Sequence, residues 1–201
     1  MKKKDIEFFR HLVESSGPSG YEQSVQKIFR EYVQKYADEI TTDVHGNVIA
    51  HKRGKGDLRV MISGHADEIG LMIKYIDDNG FIRFSAIGGL DYSLLPGLRV
   101  NIFHDGTVVR GVIGKKPIHL IKREDRDKPV KQEDLWIDIG ASSGKEAEKK
   151  VSVGDYATFS PGMEMLENNL VSTKATDNRV GVFTVAAVLK ELAQEETYAS
   201  I

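Results

Sequence analysis

Two hydrophobic rhythms divide this chain, and together they constrain its fold more than any single residue does. Near both ends apolar residues recur at helical spacing, whereas from about residue 72 to residue 162 they fall in short runs separated by turn residues. Ile6, Phe9, Leu12 and Val13 form one helical stripe that ends near Gly17-Pro18, and Val25, Ile28, Phe29, Tyr32 and Val33 form a second. Ser19-Gly20-Tyr21-Glu22 has the spacing of a capping box, in which each side chain satisfies an orphan amide of the helix start. It predicts where the second helix begins. Residues 41–44 and 47–51 read as a hairpin about His45-Gly46. Residues 59–63 read as a short apolar strand of the kind buried in an α/β sheet.

In the middle of the chain, runs at 71–76 and 81–86 flank Asp77-Asp78-Asn79-Gly80, and runs at 99–103 and 107–113 flank His104-Asp105-Gly106. Strands at 135–139 and 155–159 complete a compact β-barrel-like unit, with a charged solvated loop at 122–134 and a short helix at 144–150. From residue 170 the earlier character returns as a strand at 170–173 and a helix at 180–192 rich in Val and Ala. The expected fold class is therefore α/β: an incomplete mixed sheet with flanking helices, interrupted by an inserted β-barrel-like domain. Residues 1–71 and 164–201 form the two parts of the α/β domain and residues 72–163 the insert. A sheet built from these strands alone exposes an edge and uncovered apolar surface.

Composition removes several function classes. Lys and Arg total 28 against 30 Asp and Glu, for a formal net charge of −2, so nothing recruits nucleic acid or an anionic membrane. Met1-Lys2-Lys3-Lys4 imitates the start of a signal peptide, but the next residues, Asp5 to His11, are charged and amphipathic, so no secretory apolar region follows. No apolar run is long enough to span a bilayer. With no cysteine, a metal site has only His, Asp and Glu to draw on. The expected setting is the cytoplasm.

Directly after Val60-Met61-Ile62 stands Ser63-Gly64-His65-Ala66-Asp67-Glu68-Ile69-Gly70. A strand that ends in His-x-Asp can present an imidazole to a metal, with the carboxylate two residues on steadying the ring. Thr176-Asp177-Asn178-Arg179-Val180-Gly181 puts another carboxylate at a helix start, where the dipole favours an anion. Singly, each residue has a plainer reading: His65 as a strand-end histidine, Asp67 as a solvated acid, Asp177 as a helix N-cap. Together they read as part of a metal site if the two stretches meet in space. Glu68 reads as structural or solvent-facing, His104 as a surface residue beside a turn, and His11, His45 and His51 as ordinary polar positions. Gly88-Gly89 supplies backbone freedom, since no helix follows to make a phosphate cradle.

Those strings, with Ala86-Ile87-Gly88-Gly89, residues 111–119, residues 134–143 and the segment Gly17-Pro18-Ser19-Gly20-Tyr21-Glu22, resemble the tetrahedral aminopeptidases. These are two-metal exopeptidases that include glutamyl, leucyl and lysyl aminopeptidases, and some members carry the label cellulase M or endoglucanase. The resemblance implies removal of N-terminal residues from peptides by water activated between two divalent ions, zinc or cobalt. It also implies a homo-oligomer, from dimer to hollow dodecamer, assembled through the inserted β domain. His65 matches a ligand of one metal, Asp67 the acidic residue that orients that imidazole, and Asp177 the carboxylate bridging both metals. Family members continue beyond this helix into a strand, a pair of glutamates, a further Asp and a late His. The 201 residues end at Ile201, and Glu195-Glu196, at the polar end of a helix, does not match that pair.

One imidazole and one bridging acid fall short of the ligands a metal pair needs. A missing general base costs about 10²–10⁴-fold in rate. The 201 residues alone are therefore expected to be inactive. The rival readings are a non-catalytic oligomerisation or binding fragment and an endoglucanase-like glycosidase. The latter is disfavoured by a single Trp for stacking sugars.

Overall fold

The computed structural model describes residues 3–160 and 162–201. Met1 and Lys2 of the basic start, and Pro161 within the expected insert, lie outside the described residues. In chain order the elements are α1 (Lys3–Glu14), α2 (Gln23–Val33), β1 (Glu39–Thr42), β2 (Val48–His51), β3 (Gly70–Ile76), β4 (Ile82–Ile87), β5 (Arg99–His104), β6 (Thr107–Lys115), β7 (Leu135–Asp138), α3 (Gly144–Ala147), β8 (Tyr156–Phe159), β9 (Glu164–Met165), β10 (Val171–Ser172) and α4 (Thr176–Leu192). The class is mixed α/β with a closed six-stranded barrel. The chain divides into two compact units, residues 1–68 with 162–201, and residues 69–161. Among the described residues no helix is long and apolar enough to cross a membrane.

The unit of residues 69–161 is the barrel, in the order β3-β4-β7-β6-β5-β8, closed where β8 pairs back onto β3. Alternation along each strand sends one face inward. Leu71 and Ile73, Ile82 and Phe84, Val100 and Ile102, Leu135 and Ile137, and Ala157 and Phe159 accordingly fill the interior. The hairpin between β3 and β4 turns on Asp77, whose carboxylate accepts from the amides of Asn79 and Phe81 at 3.0 and 2.9 Å, with Gly80 at a φ of 87° that a side chain would resist. The charged stretch at 122–134 is not wholly solvated loop: it holds two short 3₁₀ turns. Gln132 in the second accepts from the Ala86 amide and the Tyr92 hydroxyl.

In the other unit α1, α2 and α4 pack around Phe8, Leu12, Val25, Phe29, Val33, Val182, Ala186 and Leu189. The two expected N-terminal stripes are these helices' buried faces. The capping box is not formed. Helix α2 starts at Gln23 with no side-chain cap, because the Glu22 carboxylate accepts from the Gly20 amide at 2.7 Å and the Ser19 hydroxyl donates to Asp67. A hydroxyl committed to a residue far along the chain cannot also cap its own helix.

The expected buried strand at 59–63 is a second correction. This segment holds no ladder; it makes one isolated parallel bridge, Arg59 to Ser200, with hydrogen bonds of 2.9 Å from Val60 to Ser200 and from Ser200 to Leu58. Met61 is 90 % exposed, Val60 43 % and Ile62 39 %. An apolar run is fully buried only where other strands or helices cover both its faces, and this one is covered in part. The strand expected at 170–173 is likewise reduced to the two residues of β10, paired with β9.

Candidate metal-binding site

His65 and Asp67 lie on residues 63–68, a connection without helix or ladder, and Asp177 lies where α4 begins. The His65 ring sits between two carboxylates, with Nδ1 2.7 Å from Asp67 Oδ1 and Nε2 3.0 Å from Asp177 Oδ1. The Ser19 hydroxyl donates to the other Asp67 oxygen, completing a chain of four polar groups. Exposure rises along it: the side chains of Asp67, His65 and Asp177 are 30 %, 54 % and 95 % exposed. Burial pushes the Asp67 carboxyl up, but the hydrogen bonds from Ser19 and His65 outweigh it and hold the group below the usual carboxylate range.

The local backbone explains why Asp177 is available. Asp177 and Asn178 have non-helical φ/ψ. Asn178, not Asp177, takes the capping role, its side-chain oxygen accepting from the Gly181 amide at 3.0 Å. That leaves the Asp177 carboxylate turned to His65 and to solvent.

These donors fit a divalent cation in kind. When Nδ1–H of a neutral imidazole donates to Asp67, Nε2 presents a lone pair to a carboxylate oxygen, and two acceptors this close need a proton or a cation between them. Nitrogen and oxygen donors of one tetrahedral zinc ion, each about 2.0–2.2 Å from it, stand about 3.4 Å apart, so the pair at 3.0 Å would open by a few tenths of an ångström to take the ion. They do not suffice in number. Among the described residues no group of three or more His, Asp or Glu side chains is placed to hold a metal ion.

Behind the site is an ionic cluster whose cations the sequence reading passed over. Arg179, two residues after Asp177, is wholly buried. Its guanidinium donates to the carbonyls of Ala66 (2.9 Å), Leu12 (2.7 Å) and Ser15 (2.5 Å) and meets the Glu68 carboxylate at 3.3 Å. Glu68, structural as one of its two expected roles, also accepts from the Gly17 amide at 3.1 Å and pairs with Lys174 at 2.9 Å. Burial pushes the Lys174 ammonium below its ordinary range, and the Glu68 charge beside it resists that shift. The one signal in the sequence is an arginine at the head of an otherwise apolar helix. His104, expected at the surface, is 22 % exposed in the barrel unit and bonds Asp155 at 2.9 Å.

Residues 46–201 match the family model of the M42 glutamyl aminopeptidases, and the chain belongs to that family. A lysyl aminopeptidase of Pyrococcus furiosus is 32 % identical over 196 residues, 96 % of this chain and 56 % of the relative. The crystal structure of a TET aminopeptidase from a marine sediment Thaumarchaeota archaeon superposes with a TM-score of 0.94 at 33 % identity, covering 98 % of this chain and 57 % of that one. A structure of the TET1 peptidase of Pyrococcus horikoshii, described as assembling into a tetrahedron or a large octahedral shell, gives a TM-score of 0.86 at 36 % identity over 98 % of this chain and 58 % of that one. The chain spans about half the length of the curated relatives it matches.

Proposed function

We propose that this chain carries part of the site of a metal-dependent aminopeptidase that removes N-terminal residues from peptides. In this reading His65 and Asp177 are metal ligands and Asp67 is the acid that orients His65. The observation that carries it is the 3.0 Å approach of His65 Nε2 to Asp177 Oδ1 by residues 112 positions apart. Two divalent ions, zinc or cobalt, would supply Lewis acidity and a nucleophile at neutral pH.

The chain's own groups prepare for that chemistry. In this reading Asp67, fixed by Ser19, accepts from a protonated Nδ1, which would leave Nε2 facing the site with its lone pair. Asp177 is a carboxylate with two oxygens, one facing His65 Nε2 and the side chain 95 % exposed, so its second oxygen is open to a further cation. Further ligands and a general base are needed beyond these groups, so the 201 residues alone bind metal weakly and turn over little substrate. A cytoplasmic setting fits a chain without cysteine. Homo-oligomer formation is supported by the assembly named for the Pyrococcus horikoshii peptidase, and in this reading it runs through the barrel unit. Val108, Ile118 and Leu120, which leave 52 %, 57 % and 58 % of their surface exposed on that unit, offer apolar contact.

Cobalt(II) titration tests the assignment by its visible absorption bands. Bands that develop in the native chain and are lost in both His65→Ala and Asp177→Ala support it; bands unchanged in both variants overturn it. Robust metal-dependent cleavage of aminoacyl-p-nitroanilides by the 201-residue chain would contradict the ligand count.

A further inference from the structure

We infer that Arg179 and Glu68 are positioning residues for the site, fixing the separation of His65 and Asp177 from behind; the inference rests on the metal-ligand reading of those two. Neither ligand is held by regular structure. Residues 63–67 make no ladder, and Asp177 precedes the regular turns of α4. Some other contact must set their distance.

Arg179 makes that contact. From two residues beyond Asp177, its Nε donates to the carbonyl of Ala66, the residue between His65 and Asp67. Its remaining nitrogens reach the carbonyls of Leu12 and Ser15 at the end of α1, and Glu68 on the His65 segment. Glu68 in turn exchanges hydrogen bonds with Gly17, accepting from its amide at 3.1 Å while its own amide donates to the Gly17 carbonyl at 3.0 Å. One guanidinium thereby joins three stretches of chain, two of which carry the ligands. A second, independent observation is the seam between Gly64 and Gly181. A side chain on Gly64 would meet the Gly181 carbonyl carbon and the Val182 nitrogen at 2.7 Å, so the His65 segment rests directly on the first turn of α4.

Charges buried this deeply are weak evidence for stability, because desolvation offsets much of their attraction. In this inference their role is to select one arrangement, since moving either segment would part the Arg179 guanidinium from the Glu68 carboxylate. The planar fork of arginine, with five donors at fixed angles, suits this task, and a lysine ammonium cannot replace it.

The experiment uses the 201-residue chain labelled with ¹⁵N-histidine and titrated with Mn²⁺ alone, reading paramagnetic broadening of the His65 ring. His65→Ala identifies that signal among the six histidines. Thermal melts run in parallel, and spectra are recorded at least 15 °C below each variant's melting temperature. In the native chain His65 should broaden before the other histidines. In Arg179→Lys and in Glu68→Gln the Mn²⁺ concentration for half-broadening should rise at least tenfold while the far-UV spectrum stays native.

A native Mn²⁺ response in a folded Arg179→Lys or Glu68→Gln chain, with only the melting temperature lowered, makes the cluster merely structural and overturns the inference. If Arg179→Lys does not fold, Glu68→Gln decides alone, since it keeps the acceptor shape and removes one charge. Failure of His65 to broaden in the native chain is a different result: it removes the metal-ligand reading itself.

Discussion

The side chains of Glu68 and Arg179 meet at 3.3 Å with exposures of only 2 % and 0 %. A carboxylate removed from such a pair leaves a guanidinium and the neighbouring Lys174 ammonium without their shared counter-charge. Glu68→Ala is therefore expected to cost about 3–5 kcal/mol, the range for breaking a buried ion pair from one side. Urea denaturation measures it. A loss under about 1 kcal/mol would mean that water reaches the cluster when the carboxylate is gone.

Gly64→Ala tests the seam against α4. The added methyl would sit 2.7 Å from backbone atoms of Gly181 and Val182, which have little freedom to yield. The expected destabilisation is about 1–3 kcal/mol. A shifted His65 ring signal should accompany it, because the displaced segment carries that residue.

The three-helix core should respond as close-packed interiors do. Leu189, 2 % exposed on α4, packs in the cluster with Phe8, Leu12 and Phe29, and Leu189→Ala is expected to cost about 2–5 kcal/mol by denaturant titration. Val153, 64 % exposed, serves as the contrast, and its replacement by alanine should fall within about 0.5 kcal/mol of native.

The start of α3 predicts a pH dependence. Glu146 accepts from the Ser142 amide and hydroxyl at 2.9 and 2.8 Å and from Lys150 at 3.1 Å. Its carboxyl is pulled from 4.5 to about 2, first by the backbone hydrogen bond. Because the folded value is the lower one, the stabilisation is complete above pH 4.5 and is lost as pH falls towards 2. An NMR titration should place Glu146 at the low end of the carboxylates, and Glu146→Gln should flatten the stability profile over that window.

What was legible in the sequence follows from how local each determinant is. The barrel strands were read to within about two residues because Asp77 to Gly80 and Asp105-Gly106 punctuate them with turns whose geometry depends on nearby residues alone. The capping box misled because Ser19 spends its hydroxyl on Asp67, 48 positions away, a competition no local pattern reveals. The apolar run at 59–63 looked like a buried strand, yet burial depends on neighbours that the run itself does not specify.

At the candidate site, His65, Asp67 and Asp177 stood out by residue type, and the structure sets the His65 ring between the two carboxylates. The buried Arg179 did not stand out, since an arginine on a helix ordinarily faces water and only the carbonyls of Leu12, Ser15 and Ala66 show where this one goes. The capping role of Asn178 was hidden because the adjacent Asp177 is equally suited to it by residue type, and only the structure shows which of the two accepts from the Gly181 amide.

The most direct test of the central claim is the anomalous-scattering map of a crystal of this chain soaked in zinc. The account predicts a peak about 2.0–2.2 Å from both His65 Nε2 and a carboxylate oxygen of Asp177. A map in which zinc binds elsewhere, touching neither residue, would contradict it.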